Sequence, residues 1–153
     1  GSGYELALPA WGPSPRPLPH IVAALGVEAA VETLWHPHRY ALIVLENAAQ
    51  IRALDPDFRA LGRPSPADPA AGGDETDVIS RVFAPGAGID EDPVTGSAHA
   101  VMTPYWAARL GRDRFTAYQA SARGGHLTCQ LAGDRVVLGG QCVTVMEGTF
   151  FLP

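Results

Sequence analysis

Three carboxylates, a proline and a run of small residues stand together in Asp90-Glu91-Asp92-Pro93-Val94-Thr95-Gly96-Ser97-Ala98-His99. A helix starting at Gly96 or Ser97 presents backbone N–H groups without intrahelical partners. Those groups and the helix dipole suit an anion. Asp92 stands just ahead of them, and Pro93 keeps it out of the helical conformation. From there its carboxylate can move a proton on whatever acid is bound. This is the equipment for isomerising or epimerising a small carboxylic acid. The same residue types have a plainer reading, in which Asp92 caps the helix and Asp90 and Glu91 face solvent or shape the turn.

Thr95, Gly96, Ser97 and Ala98 form the candidate cradle for a substrate carboxylate, with Gly96 permitting close backbone approach. Otherwise they are a small-residue helix start and nothing more. Arg123, beside Gly124 and Gly125 in a turn between two strands, either clamps a carboxylate bidentately or solvates the turn. His99 reads as a satisfied core group. Gly86-Ala87-Gly88 lacks the later glycine and the helix that a nucleotide-binding loop requires. His20, His36, His38, His99 and His126 are scattered, so no metal site is expected, and no cofactor is called for.

The elements that position these residues are legible in part. Gly96 to Leu110 is the longest helix, and its apolar residues cover nearly every face, the pattern of a buried helix. Pro104 inside it costs roughly 3 kcal/mol or more, which packing must offset. Strands are expected at Tyr4–Leu8, Val31–Trp35, Tyr40–Leu45, Thr76–Phe83, Phe115–Ala120, His126–Leu131, Arg135–Leu138, Cys142–Met146 and Thr149–Leu152. His36-Pro37-His38 reads as a hairpin turn. Short helices are expected at Ile21–Leu25, after Asn47 to about Leu54, and at Asp57–Leu61. The proline- and glycine-rich stretch Arg63–Asp74 reads as a surface loop. Trp35, Tyr105 and Trp106 are assigned to the core and Trp11 to an exposed anchor. Many strands, few helices and tight turns give an α+β fold with a largely antiparallel sheet.

At 153 residues, 46% hydrophobic, the chain suits one soluble domain. Its net charge of −5, with no clustered Lys or Arg, argues against nucleic-acid or anionic-membrane partners. No apolar run approaches the length of a membrane span, and no signal peptide is recognisable. Cys129 and Cys142 are read as two buried thiols in a reducing, cytoplasmic setting. Gly1-Ser2-Gly3, without an initial Met, has the look of a cloning scar or a cut end.

The order of motifs is specific. Arg81-Val82-Phe83-Ala84-Pro85 precedes the acidic run. Pro104-Tyr105-Trp106-Ala107-Ala108-Arg109-Leu110-Gly111 and Gln119-Ala120-Ser121-Ala122-Arg123-Gly124-Gly125 follow it. With Glu91-Asp92-Pro93-Val94-Thr95-Gly96-Ser97-Ala98-His99, this resembles the second half of the phenazine-biosynthesis PhzF-like family, within the diaminopimelate epimerase-like superfamily. The resemblance implies a barrel-like, mostly antiparallel sheet wrapped around one central buried helix, with residues 1–153 forming a single C-terminal domain. It implies a PhzF-like isomerase of a small carboxylate, working without cofactor by acid–base proton transfer, with Asp92 in the active site. Thr95, Gly96, Ser97, Ala98, Arg123 and Gly124 would bind substrate. Epimerases and racemases of the superfamily carry a catalytic cysteine in this region, and none stands between Phe83 and Tyr118 here, which favours carboxylate chemistry. The family's catalytic glutamate belongs to its first half, which this chain does not match. The chain is therefore expected to work with an N-terminal half or a second chain, and a homodimer is expected. The alternative is a non-catalytic module of the same fold that binds a small anion or another protein.

Overall fold

In a computed structural model of the chain, residues 3–62, 67–73 and 76–151 are described. The order is β1 (Tyr4–Pro9), β2 (Ser14–Pro15), α1 (Pro19–Ala24), β3 (Glu32–His36), β4 (Tyr40–Val44), α2 (Ala48–Arg52), α3 (Phe58–Leu61) and β5 (Ala67–Gly73). Then come β6 (Thr76–Ser80), β7 (Val82–Ala84), a 3-10 turn (Pro85–Ala87), β8 (Ile89–Asp92), α4 (Gly96–Leu110), β9 (Arg114–Gln119), β10 (Gly125–Ala132) and β11 (Arg135–Gly140).

One sheet runs β1-β11-β10-β9-β6-β5-β4-β3-β2, and β7 with β8 forms a spur from β5. Pairing is antiparallel except for β4–β5 and β6–β9. The sheet curls around α4, which packs against β1, β4, β10 and β11. On its other face lie α1, α2 and α3. Both faces are therefore covered, and β4 shows it by parity: Ala41 and Ile43 join the core under the short helices, while Leu42 and Val44 join the core around α4. A strand buried on both faces reads as a continuous apolar run rather than an alternating one.

Helix α4 begins at Gly96 and ends against Gly111, whose φ of 66° supplies the left-handed cap. Ala98, Ala100, Val101, Met102, Trp106 and Ala107 are buried in it. Pro104 removes the donor that Ala100 O would otherwise meet one turn later. The N–H of Trp11 takes that place, at 3.2 Å from Ala100 O. This returns about 1 kcal/mol of a penalty near 3, and burial of Met102 and Trp106 covers the rest. Trp11 is thus a half-buried strut, not an exposed anchor. It packs on His36, His38 and Tyr40.

Several expectations are corrected. Within the stretch read as a surface loop, Ala67–Gly73 forms strand β5, held by partners on both sides; residues 63–66 and 74–75 lie outside the described residues. The strand expected over Thr76–Phe83 breaks at Arg81. Its guanidinium leaves the sheet to meet Leu54 O at 2.7 Å and Glu91 bidentately at 2.8 and 2.9 Å. Glu91 is therefore a strand residue in an ion pair. Cys142–Met146 and the described part of Thr149–Leu152 form no strand, because no neighbouring strand pairs with them. Val143, Val145, Met146, Phe150 and Phe151 are each more than four-fifths exposed. Cys142 is exposed with them, while Cys129 is buried and its thiol is pushed up to about 12 by burial. Trp106 is in the core as expected, but Trp35 and Tyr105 are only half-buried. No helix among the described residues is long and apolar enough to cross a membrane.

Candidate active site

Asp92 ends β8, opposite Val82 of β7. It does not cap α4. The N-cap position belongs to Thr95, whose side chain makes no capping bond. Its hydroxyl donates instead to Asp92 Oδ2 at 2.5 Å. The first turn of a fifteen-residue helix is thus left without a side-chain cap, beside a carboxylate held by one oxygen.

A cleft of about 340 Å³ opens here. Asp92, Thr95 and Ser97 form one wall and His38, Arg39 and Tyr40 of the β3–β4 hairpin the facing one, with Val82, Ala84 and Ile89 as apolar floor. The Tyr40 hydroxyl donates to Ser97 Oγ at 2.7 Å and joins the two walls.

The expected site residues do not all share this cleft. Gly96, Arg123 and Gly124 line a second, wider depression of about 760 Å³ on the other side of the helix start, with Val94 and Leu138. A Cβ added at Gly96 would meet the side chains of Leu138, Leu6 and Leu8 at ordinary contact distance. Gly96 therefore turns its bare face toward the core rather than toward the cleft. Ala98 is wholly buried and lines neither depression, so the structure does not place it against a ligand. Gly124 sits at φ 70°, where its N–H reaches Ser121 Oγ at 3.1 Å. Ser121 in turn donates to Pro93 O at 2.8 Å. The Arg123 turn is thereby anchored to the acidic loop without opening onto the cleft.

Gln119 is the principal residue that sequence reasoning missed. It is fully buried. Its Oε1 accepts from Thr95 N at 2.8 Å, and its Nε2 donates to Asp92 O at 2.6 Å and to Thr95 Oγ1 at 3.2 Å. Because Thr95 Oγ1 accepts from Gln119, its own hydrogen is directed at Asp92. A signal was present: Phe115, Ala117 and Gln119 share one face of β9, and a polar residue on a core face needs partners.

His99 lies one turn into α4, entirely buried. Its Nδ1 is 2.7 Å from Thr95 O, and its Nε2 has no partner among the described residues. Burial lowers its pKa, only partly opposed by the bond to Thr95. His36 is lowered as well, by burial and by the nearby His38. The sign follows from linkage: unfolded histidine titrates near 6.5 and takes up the proton that folded His99 refuses. The stability due to His99 is full above that pH and is lost as the pH falls below it. The melting temperature is expected to drop between about pH 7.5 and pH 5, and His99→Gln should flatten the drop, leaving the part due to His36. An undiminished drop in that variant would assign the effect elsewhere.

Among the described residues, no group of three or more His, Cys, Asp or Glu is placed to hold a metal ion. The cleft's own chemistry is that of one carboxylate, three hydroxyls, an imidazole, an arginine and a helix N-terminus.

Residues 23–148 match the model of the PhzC-PhzF family, described as phenazine biosynthesis-like protein. An uncharacterized isomerase of Pseudomonas aeruginosa is 50% identical over 109 residues, covering 70% of this chain and 42% of the relative. A second uncharacterized isomerase of that organism is 39% identical over 155 residues, covering 99% of this chain and 59% of the relative. The crystal structure of a phenazine biosynthesis protein of the PhzF family from Enterococcus faecalis superposes with a TM-score of 0.88 at 38% identity, covering 98% of this chain and 58% of that one. The chain thus spans roughly half the length of the relatives it matches.

Proposed function

The chain belongs to the PhzC-PhzF family of phenazine biosynthesis-like proteins, and on that premise we propose that it forms one side of an isomerase active site acting on a small carboxylic acid. The observation that supports this reading most is the release of Asp92 from capping duty: its carboxylate faces a cleft at an uncapped helix start. In this reading the substrate carboxylate docks at the start of α4 on the Ser97 N–H and hydroxyl, with the Gly96 N–H beside them; the Thr95 N–H is already taken by Gln119 and Ala98 is buried behind the site. Asp92 then carries a proton to or from carbon, its Oδ2 steadied by Thr95 and its other oxygen without a partner among the described residues. No cofactor takes part. Arg123 and Gly124 hold the acidic loop from behind through Ser121 and Pro93.

The second proton carrier, a glutamate by family resemblance, lies outside this chain and completes the cleft. The apolar run from Val143 to Phe151 supports association, since monomers rarely expose that much apolar side chain. A non-catalytic binding module of the same fold would expose the same run, so activity must separate the two readings.

The test is solvent deuterium exchange into small carboxylic acids, cyclic and aromatic ones first. Protein completed by the half that carries the glutamate, in one polypeptide or as a second chain and called full-length below, is expected to incorporate deuterium at carbon. The 153-residue chain alone is expected to incorporate none and to self-associate in light scattering at micromolar concentration. A monomeric chain that exchanges deuterium unaided overturns the need for a second half. A full-length protein that binds acids but exchanges none of them leaves the binding-module reading in possession.

A further inference from the structure

Arg39 adopts a φ of 70°, the positive-φ value recorded for a non-glycine residue among the described residues. An L-residue enters that region at a cost that glycine does not bear. The turn enforces it: Arg39 N donates to His36 O at 2.9 Å, and His38 N donates to His36 Nδ1 at 3.2 Å. Trp11 stiffens the turn from outside, its ring 4.6 Å from that of His38 and edge-on to it. Glycine or asparagine would make the same turn more comfortably. A strained arginine therefore points to a use for its side chain.

Arg39 lines the cleft that holds Asp92, Thr95 and Ser97. Arg81, Arg109 and Arg112 are each paired with a carboxylate, at Glu91, Glu32 and Asp77. Among the described residues no carboxylate pairs with Arg39, and it is the permanently charged cation among the residues lining the cleft. The neighbouring Tyr40 reaches Ser97 directly, and Arg39 lines the same cleft beside it. Ser97 Oγ accepts from Tyr40, so its own hydrogen is free to donate into the cleft. Arginine, serine hydroxyl and helix start thus converge from two walls above the apolar floor of Val82, Ala84 and Ile89.

We propose that Arg39 is the carboxylate-recognition residue of this cleft. It clasps, from the hairpin side, the acidic group docked at the start of α4, and it selects cyclic or aromatic monocarboxylates over their amides. The identity of the cleft rests on the isomerase reading; the binding role of Arg39 does not depend on turnover.

Calorimetric titration of the chain with benzoate and with benzamide tests it. Benzoate is expected to bind at least about tenfold more tightly than benzamide. Arg39→Gln should remove that preference by weakening benzoate and sparing benzamide, and Arg39→Lys should retain part of it. Arg39→Gly should lose benzoate binding while the melting temperature holds or rises, because glycine relieves the strained φ; this separates lost recognition from lost folding. Arg135→Gln, on the far strand β11, serves as the control for bulk charge. Benzoate affinity within twofold of the parent in Arg39→Gln and Arg39→Gly overturns the proposal, as does a parent chain that binds no benzoate or fails to distinguish it from benzamide. If Arg39 governs benzoate binding but full-length protein exchanges no deuterium, the isomerase reading falls and this proposal stands. If full-length Arg39→Gln exchanges deuterium with unchanged KM, the proposal falls and the reading stands.

Discussion

Asp92→Asn in the full-length protein should lower turnover by about 10²-fold or more while leaving the fold intact. Asparagine is nearly isosteric with aspartate, and its side-chain oxygen can still accept from the Thr95 hydroxyl. The β7–β8 pairing, which involves only backbone at this position, is untouched. The expected cost in stability is about 1 kcal/mol or less. What the amide cannot do is take up and release a proton at neutral pH. Initial rates of deuterium incorporation, set beside a urea melt of the same variant, decide the matter. Near-parental turnover in a folded variant would reduce Asp92 to a structural strand-end residue and move the search for a proton carrier elsewhere.

The largest effect on stability is expected from Gln119→Leu. Leucine fills similar space but leaves Thr95 N–H and Asp92 C=O without their buried partner. Each orphaned group costs about 1–3 kcal/mol, so the variant should lose about 2 kcal/mol or more in denaturant unfolding. It also frees the Thr95 hydroxyl from the bond that directs its hydrogen at Asp92. Where the variant remains folded, kcat should therefore fall more than KM rises, a split that a purely structural glutamine would not produce. A loss below about 0.5 kcal/mol, the scale of an ordinary surface change, would contradict the bonding described.

The sequence spoke most clearly where local chemistry decides. Helix α4 is legible from Gly96 to Leu110 because its start, its apolar faces and its glycine stop are all local signals. Asn47 announces α2 by its spacing to Gln50, and the bond from Gln50 N to Asn47 Oδ1 is present at 3.0 Å, although the Gln50 side chain turns back to Glu46 N rather than to Asn47 N. Strand β5 was hidden because Pro69, Gly72 and Gly73 are loop-formers by propensity, and only pairing with β4 and β6 outweighs them. The break at Arg81 was hidden because its cause, the carbonyl of Leu54, is remote in sequence. Cys142–Met146 misleads for the opposite reason: the alternation of a strand is present without a neighbour to complete it.

The site divides in the same way. Asp92, Thr95 and Ser97 announce themselves by type and spacing. Tyr40 and Arg39 do not, since they enter the cleft only because a hairpin far back in the chain folds over the start of α4. The division of Gly96, Arg123 and Gly124 from the cleft depends on which side of one helical turn each residue faces, and that is a property of packing alone.

The pairing of β1 with β11 sets the order in which the site can be assembled as the chain is made. Tyr4 faces Gly140 and Leu8 faces Val136, so β1 must wait for β11, which is made more than a hundred residues later. Until then Leu6 and Leu8 have no sheet to lie in, and the bare face of Gly96 has nothing behind it. Closing so long a loop adds entropy cost only logarithmically, but non-local pairing slows the search. The backing of the α4 start, on which the anion site depends, is thus completed only once β11 has been made. During translation the acidic loop and the hairpin can meet well before the helix they serve is sealed from behind.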